Sequence, residues 1–135
     1  MKSPEYLVRR FYDEVWNRSD ENTAYEILDQ EFRFRGSLGS ETVGPGGFID
    51  YVRSIHRALA NYTCRIDDLI VTEERAAARM MFEGVHRAEF FGVSATGRKI
   101  SWAGAAFFMT RDDKIAELWV LGDVDSIRRQ LGTTS

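Results

Sequence analysis

Apolar residues recur along this chain with two different periods. Val8, Phe11, Tyr12, Val15 and Trp16 are spaced three and four apart, the repeat that places side chains on one face of a helix. Ser3-Pro4-Glu5 supplies a capping hydroxyl, a proline suited to a first turn and an acid favoured by the helix dipole, so a helix opens the chain. Residues 17–20 stop it, and Asp20 is placed to cap a second helix with Ala24, Ile27 and Leu28 on its apolar face. Residues 31–36 alternate instead, with Phe32 and Phe34 on one side and Arg33 and Arg35 on the other, which predicts a short strand ending at Gly36. Residues 37–47 hold four glycines and Pro45; they predict a loop over a cavity, with Gly44-Pro45-Gly46-Gly47 as its hinge. Phe48, Tyr51, Val52, Ile55 and Leu59 give a third helix its stripe, and His56 falls at the stripe's edge, read as surface.

Beyond residue 61 the period is two. Residues 62–72 and 75–87 read as strands joined at Glu73-Glu74. Within 79–123, three runs rich in aromatic and β-branched residues, broken by Gly97 and by Arg111-Asp112-Asp113, predict three antiparallel strands. Asp125 is a candidate cap for a last helix over 126–131, ended by Gly132. Helices followed by a meander describe an α+β domain: a curved antiparallel sheet wrapped around three N-terminal helices, forming an α+β barrel with a cone-shaped pocket. No repeat or linker divides the chain, so residues 1–135 are read as a single domain.

Parity in the last strand assigns its faces. Ile115, Glu117, Trp119, Leu121 and Asp123 share one face, opposed by Ala116, Leu118, Val120 and Gly122. The second face is purely apolar. The first mixes large apolar side chains with two carboxylates, a mixture that a solid core rejects and a ligand cavity uses, so it is expected to line the pocket.

Composition narrows the partners. With 135 residues, 44% apolar and 29% charged, the chain has the material for one real core. A net charge of −3, from 18 basic and 21 acidic residues, gives no general attraction to nucleic acid or acidic membranes. Cys64 is the sole cysteine, which excludes an intrachain disulfide and a cysteine-based zinc site and leads to the expectation of a reducing, cytoplasmic setting. Residues 1–6 lack the apolar stretch of a signal peptide, and the longest uncharged run, 100–110, is too short to span a bilayer. Two histidines far apart, without a His-x-x-x-His pair, predict no metal, and no Gly-x-Ser-x-Gly elbow marks a nucleophile.

Gly84-Val85-His86, Phe90-Phe91-Gly92, Thr96-Gly97-Arg98, Lys114-Ile115-Ala116-Glu117-Leu118-Trp119, Asp123 and Arg129-Gln130-Leu131-Gly132, with Phe11-Tyr12 and Trp16-Asn17 near the start, resemble the SnoaL-like polyketide cyclase family of the nuclear transport factor 2-like superfamily. The resemblance implies closure of a polyketide ester ring by intramolecular aldol condensation without metal or cofactor, with an aspartate as general acid/base. It carries that role to Asp123 through the Trp-x-x-x-Asp pattern, and the family's histidine to His86. It also implies a small hydrophobic or aromatic substrate and a homodimer through the sheet. Two departures stand out: Phe34-Arg35-Gly36 occupies the place where the family often has a histidine, and Ser94-Ala95-Thr96-Gly97 replaces Pro-Pro-Thr-Gly.

The chemistry itself sets the requirements. An α-proton must be removed, the enolate held and an alkoxide protonated; one carboxylate with a raised pKa serves both proton steps. Asp123 near Trp119 and Leu121, with Glu117 adding repulsion, would fit, and His86 would donate to the enolate oxygen. Trp119, Trp102 and Phe108 are candidate walls, Tyr12 a donor at the mouth, and Arg35 a partner for a substrate carboxylate. Each has a plainer reading: Asp123 as a helix cap, Glu117 paired with Arg79 or Arg98, His86 satisfying a carbonyl, the aromatics as core and Arg35 in water. An isomerase or epoxide hydrolase built on Glu117, Asp123 and Arg79, and a non-catalytic binding or dimerisation module, are the alternatives. For the dimer, Phe107, Met109, Leu118 and Val120 are the candidate outer face.

Overall fold

Ser3 accepts the Tyr6 N–H on its hydroxyl at 3.1 Å and so starts α1 (Pro4–Arg10), with Pro4 in its first turn. A computed structural model describes residues 2–132 of the chain. The helix runs on without a break into a π-helical turn, Phe11–Trp16, closed by the Asn17 N–H on the Tyr12 carbonyl at 2.9 Å. Its wide turn buries Phe11, Tyr12, Val15 and Trp16 together. Asp20 caps α2 (Glu21–Ile27) by accepting the Thr23 N–H at 3.1 Å. The strands are β1 (Leu28–Arg35), β2 (Glu41–Val43), β3 (Leu59–Val71), β4 (Arg75–His86), β5 (Lys99–Arg111) and β6 (Lys114–Gly122). Between β2 and β3 lies α3 (Gly44–Ala58), and α4 (Val124–Leu131) closes the chain with Gly132 in the left-handed conformation behind it.

The six strands lie in the order β2-β1-β6-β5-β4-β3. This is the α+β fold expected, helices on the concave face of a curved sheet, but the sheet is mixed and open: β1 runs parallel to β6, and the other pairs are antiparallel. The loop expected over 37–47 is shorter than its composition suggests. Residues 36–40 form a turn, β2 pairs back on β1, and Gly44 to Gly47 are the first turn of α3 rather than a hinge. Proline is as welcome at the start of a helix as in a loop, which is why the two readings coincide locally.

The faces of β6 are exchanged relative to the expectation. Leu118 and Val120 point to the helices, 2% and 4% exposed, whereas Trp119 and Leu121 point outward at 45% and 51%. The purely apolar face meets the apolar helices, since that contact removes most nonpolar area from water, at roughly 25 cal/mol per Å². Ile115 is nevertheless fully buried, because pairing shifts by one residue between Met109 with Glu117 and Thr110 with Ile115. That bulge at Ala116 breaks the alternation. Leu118 and Val120 therefore drop out of the outer face, which instead carries Phe107, Trp119 and Leu121, all exposed. No helix among the described residues is long and apolar enough to cross a membrane.

Candidate functional site

The π-helical turn, α3 and the concave side of β3 to β6 enclose a cavity of about 20 Å³, enough for one water molecule. Phe34, Phe82, Leu118 and Val120 make its apolar walls. Four residues with polar side-chain atoms are among its lining: Tyr12 from the π-helical turn, Tyr51 from α3, Tyr62 from β3 and Trp102 from β5. Tyr12 Oη and Trp102 Nε1 are buried with no hydrogen-bond partner within the protein. An unpaired buried donor costs on the order of 1–3 kcal/mol, so two on one cavity are a cost without a structural return.

Their positions are fixed by their neighbours. Asn17 ends the π-helical turn and clamps it to β3, donating its amide to the Cys64 carbonyl at 3.1 Å and accepting the Cys64 N–H at 2.8 Å. Phe108 braces Tyr12 edge-on, with ring centroids 5.9 Å apart. Trp102 lies between Phe82 and Phe90, at 5.6 and 6.3 Å. Burial holds the Tyr12 and Tyr62 hydroxyls well above the usual tyrosine range, and Tyr51 is raised for the same reason. All three are therefore proton donors at neutral pH. Burial likewise pushes up the Cys64 thiol, leaving it a poor nucleophile.

One end of the cavity is closed by the turn at residues 36–40, from which Ser37 and Leu38 reach the lining. Gly39 takes a positive φ of 99° there, and the Gly122 N–H ties the turn to β6 through the Ser37 carbonyl at 3.2 Å. Gly122 allows this closure because a Cβ at that position would stand 2.8 Å from Ser37 Cβ and 3.1 Å from Trp102 Nε1.

The residues singled out from sequence divide into three places. Tyr12, Trp102 and Phe108 belong to the interior. Trp119, Glu117 and Arg35 sit on the outer face: the Arg35 guanidinium lies over the Trp119 ring at 5.3 Å and donates to the Val120 carbonyl, and Glu117 is 3.9 Å from Arg33, not from Arg79 or Arg98. They border an outer groove of about 510 Å³ with Phe107 and Met109. Arg79 lies 4.0 Å from Asp67.

His86 and Asp123 occupy structural positions. His86 is fully buried; its Nε2 donates to the Val93 carbonyl at 3.1 Å and its Nδ1 accepts the Thr96 N–H at 3.2 Å, which assigns one tautomer from the partners and staples residues 87–98 together. That segment carries Phe90 onto Trp102. Asp123 is exposed and caps α4, accepting the Ser126 N–H at 3.0 Å, while Asp125 pairs with Arg129 at 3.1 Å. It follows Gly122 directly, so it stands next to the closed end of the cavity without lining it. No acidic residue is among the lining residues described. Tyr51, Tyr62 and Ser37 were not legible as site residues. Tyr51 reads as one more apolar stripe position and Tyr62 as a strand start; only the recurrence of tyrosine at buried positions hinted at more.

The same architecture occurs in solved structures. TsrD from Streptomyces laurentii is 26% identical, with 96% of this chain and 95% of that one covered at a TM-score of 0.84. IdmH from Streptomyces antibioticus is 22% identical over 96% and 98%, TM-score 0.83. A SnoaL-like polyketide cyclase from Agrobacterium tumefaciens strain C58 is 20% identical over 98% and 100%, TM-score 0.83. No curated protein matches. The family model for SnoaL-like polyketide cyclase matches residues 6–131, from α1 through the π-helical turn and the cavity-lining strands to α4, and on that match the chain belongs to the SnoaL-like polyketide cyclase family.

Proposed function

We propose that this chain is a cofactor-independent cyclase-type enzyme that takes a small, flat, enolisable ketone or ester into the interior cavity and closes a ring by intramolecular aldol condensation. The observation that carries the reading is the pair of unpartnered buried donors, Tyr12 Oη and Trp102 Nε1, on one apolar cavity. An enolate or alkoxide oxygen placed between them would accept both hydrogen bonds and supply the partners they lack. Burial keeps the tyrosine protonated, so it stabilises the oxyanion by donation. Removal of one such donor typically costs about 100- to 1,000-fold in turnover. The aromatic walls hold the flexible substrate in a reactive conformation.

Two movements belong to the proposal. A cavity of about 20 Å³ must widen for a ring, and the turn at 36–40, held to β6 through Ser37, is the element that opens. Asp123 then exchanges the Ser126 N–H for the substrate's α-proton, acting as base and returning the proton to the alkoxide. His86 acts at a distance by holding residues 87–98, and so Phe90, against Trp102.

The test is turnover of a linear aryl triketone by the wild type, Tyr12→Phe, Trp102→Phe and Asp123→Asn, with ligand binding followed separately. Loss of turnover in Asp123→Asn with binding retained supports the cyclase. Unchanged turnover in all three variants sinks the assigned roles, and a wild type that binds the triketone without turning it over is a binding module. The outer face, with Phe107 at 53% exposed beside Trp119 and Leu121, is proposed to pair with a second copy of the chain.

A further inference from the structure

Outside the cavity, a groove of about 330 Å³ runs between the π-helical turn, the start of α2 and α3, at the lower end of the roughly 300–1,000 Å³ of small-molecule sites. We propose that it is a second binding site, for a small amphipathic carboxylate whose apolar body lies on Val15, Ile49 and Val52 and whose carboxylate is met by Arg57 and Arg87. The site is separate from the interior cavity and does not depend on the proposed reaction.

Charge argues for the anion. Arg53 is already answered by Glu21, bound through two nitrogens at 2.7 and 2.5 Å. Among the described residues no carboxylate pairs with Arg57 or Arg87, so the groove keeps two uncompensated guanidiniums. Arg87 is held in place without being neutralised: its Nε and one Nη donate to the Arg57 and His56 carbonyls at the C-terminal end of α3. Those bonds leave its remaining donors for a planar, bidentate acceptor such as a carboxylate. The floor argues for the apolar body. Val15, Ile49 and Val52 contribute to the helix core and show only their edges to the groove.

His56 forms the back wall, and the expectation that it is a surface residue is corrected here. It is half-buried, its Nε2 donates to the Trp16 carbonyl at 2.8 Å, and its ring stacks on Trp16 at 6.1 Å. Burial, followed by the charge of Arg87, lowers its pKa, so the ring is neutral and its resonances report local contacts at pH 7.

The chain has two histidines, of which His56 lines the groove and His86 does not. The experiment is a histidine-ring NMR titration of the full chain with 4-phenylbutyrate, with 4-phenylbutanol and inorganic phosphate in parallel, and with Arg57→Gln, an exposed position whose loss leaves the core intact. The expected result is a saturable shift of His56 with His86 unmoved, half-complete at about millimolar acid, weaker by about tenfold in Arg57→Gln. Shifts no larger than those with the alcohol or with phosphate alone would overturn the proposal. So would an unaltered affinity in Arg57→Gln, or a response at the Trp102 indole N–H in place of His56, which would put the ligand in the interior.

Discussion

Replacing Tyr12 by phenylalanine should make the protein more stable while making it worse at its task. In most folded proteins a buried tyrosine hydroxyl has a partner, and its loss costs about 1 kcal/mol. Tyr12 Oη has none, although the residue is buried between Phe11 and Phe108. Deleting an unpartnered buried hydroxyl returns its desolvation cost, on the order of 1–3 kcal/mol, and the ring that makes the packing contacts is unchanged. A single water in the 20 Å³ cavity would recover part of that cost, so a gain of roughly 1 kcal/mol is expected, or about 2–6 °C in Tm for a chain of this size. Urea unfolding at pH 7 with matched m-values gives the number, and ligand affinity on the same samples gives the functional half. A Tyr12→Phe protein destabilised by more than about 1 kcal/mol would refute the reasoning, because the hydroxyl would then have a partner worth keeping.

Three further outcomes follow from the same geometry. Gly122→Ala places a Cβ 2.8 Å from Ser37 Cβ and 3.0 Å from the Ser37 carbonyl, so it should push the 36–40 turn off β6 and cost about 1–3 kcal/mol in thermal unfolding. His86→Ala removes the staple of residues 87–98 and should speed amide exchange in that segment ahead of any change in α1; uniform exchange across the chain would argue against a local role. Trp119→Glu puts a charge on the outer face where Trp119 is 45% exposed; under the proposed pairing of two copies through that face, sedimentation should change from dimer to monomer with the fold intact. A wild type that sediments as a monomer at micromolar concentration would remove that interface.

What could be read from the sequence was local. Ser3 and Asp20 announce their helices because a cap acts on backbone donors two or three residues away, and both make the bond expected. Phe32 and Phe34 alternate with Arg33 and Arg35, and the first pair is buried. The family resemblance from residues 84–98 and 114–132 led to the right fold. The parallel pairing of β1 with β6 joins residues more than eighty apart, and no local pattern encodes it. The bulge at Ala116 leaves no mark in composition either, and parity alone cannot say which face of β6 meets the helices. That is why the alternation turns Trp119 and Glu117 towards a pocket that they lie outside, and Arg35, read from its place beside the glycine-rich stretch, lies outside with them. The sequence position of Asp123 suits both an acid/base and a helix cap, and in the fold it caps α4. Tyr51 and Tyr62 leave no mark as site residues because a tyrosine at an apolar position reads as core, and only the fold sets them with Trp102 around one cavity.

The tryptophans separate the interior from the outer face: Trp102 and Trp16 line the interior cavity, Trp16 also lying beneath the His56 ring, and Trp119 stands on the outer face. The most direct test of the central claim is therefore an indole N–H NMR titration with an aryl ketone, assigned by single tryptophan-to-phenylalanine variants. If the interior cavity binds the carbonyl through its unpartnered donors, the Trp102 indole proton moves downfield on saturation, and Tyr12→Phe weakens the affinity. If Trp119 responds while Trp102 stays in place, the ligand sits on the outer face and the interior site is wrong.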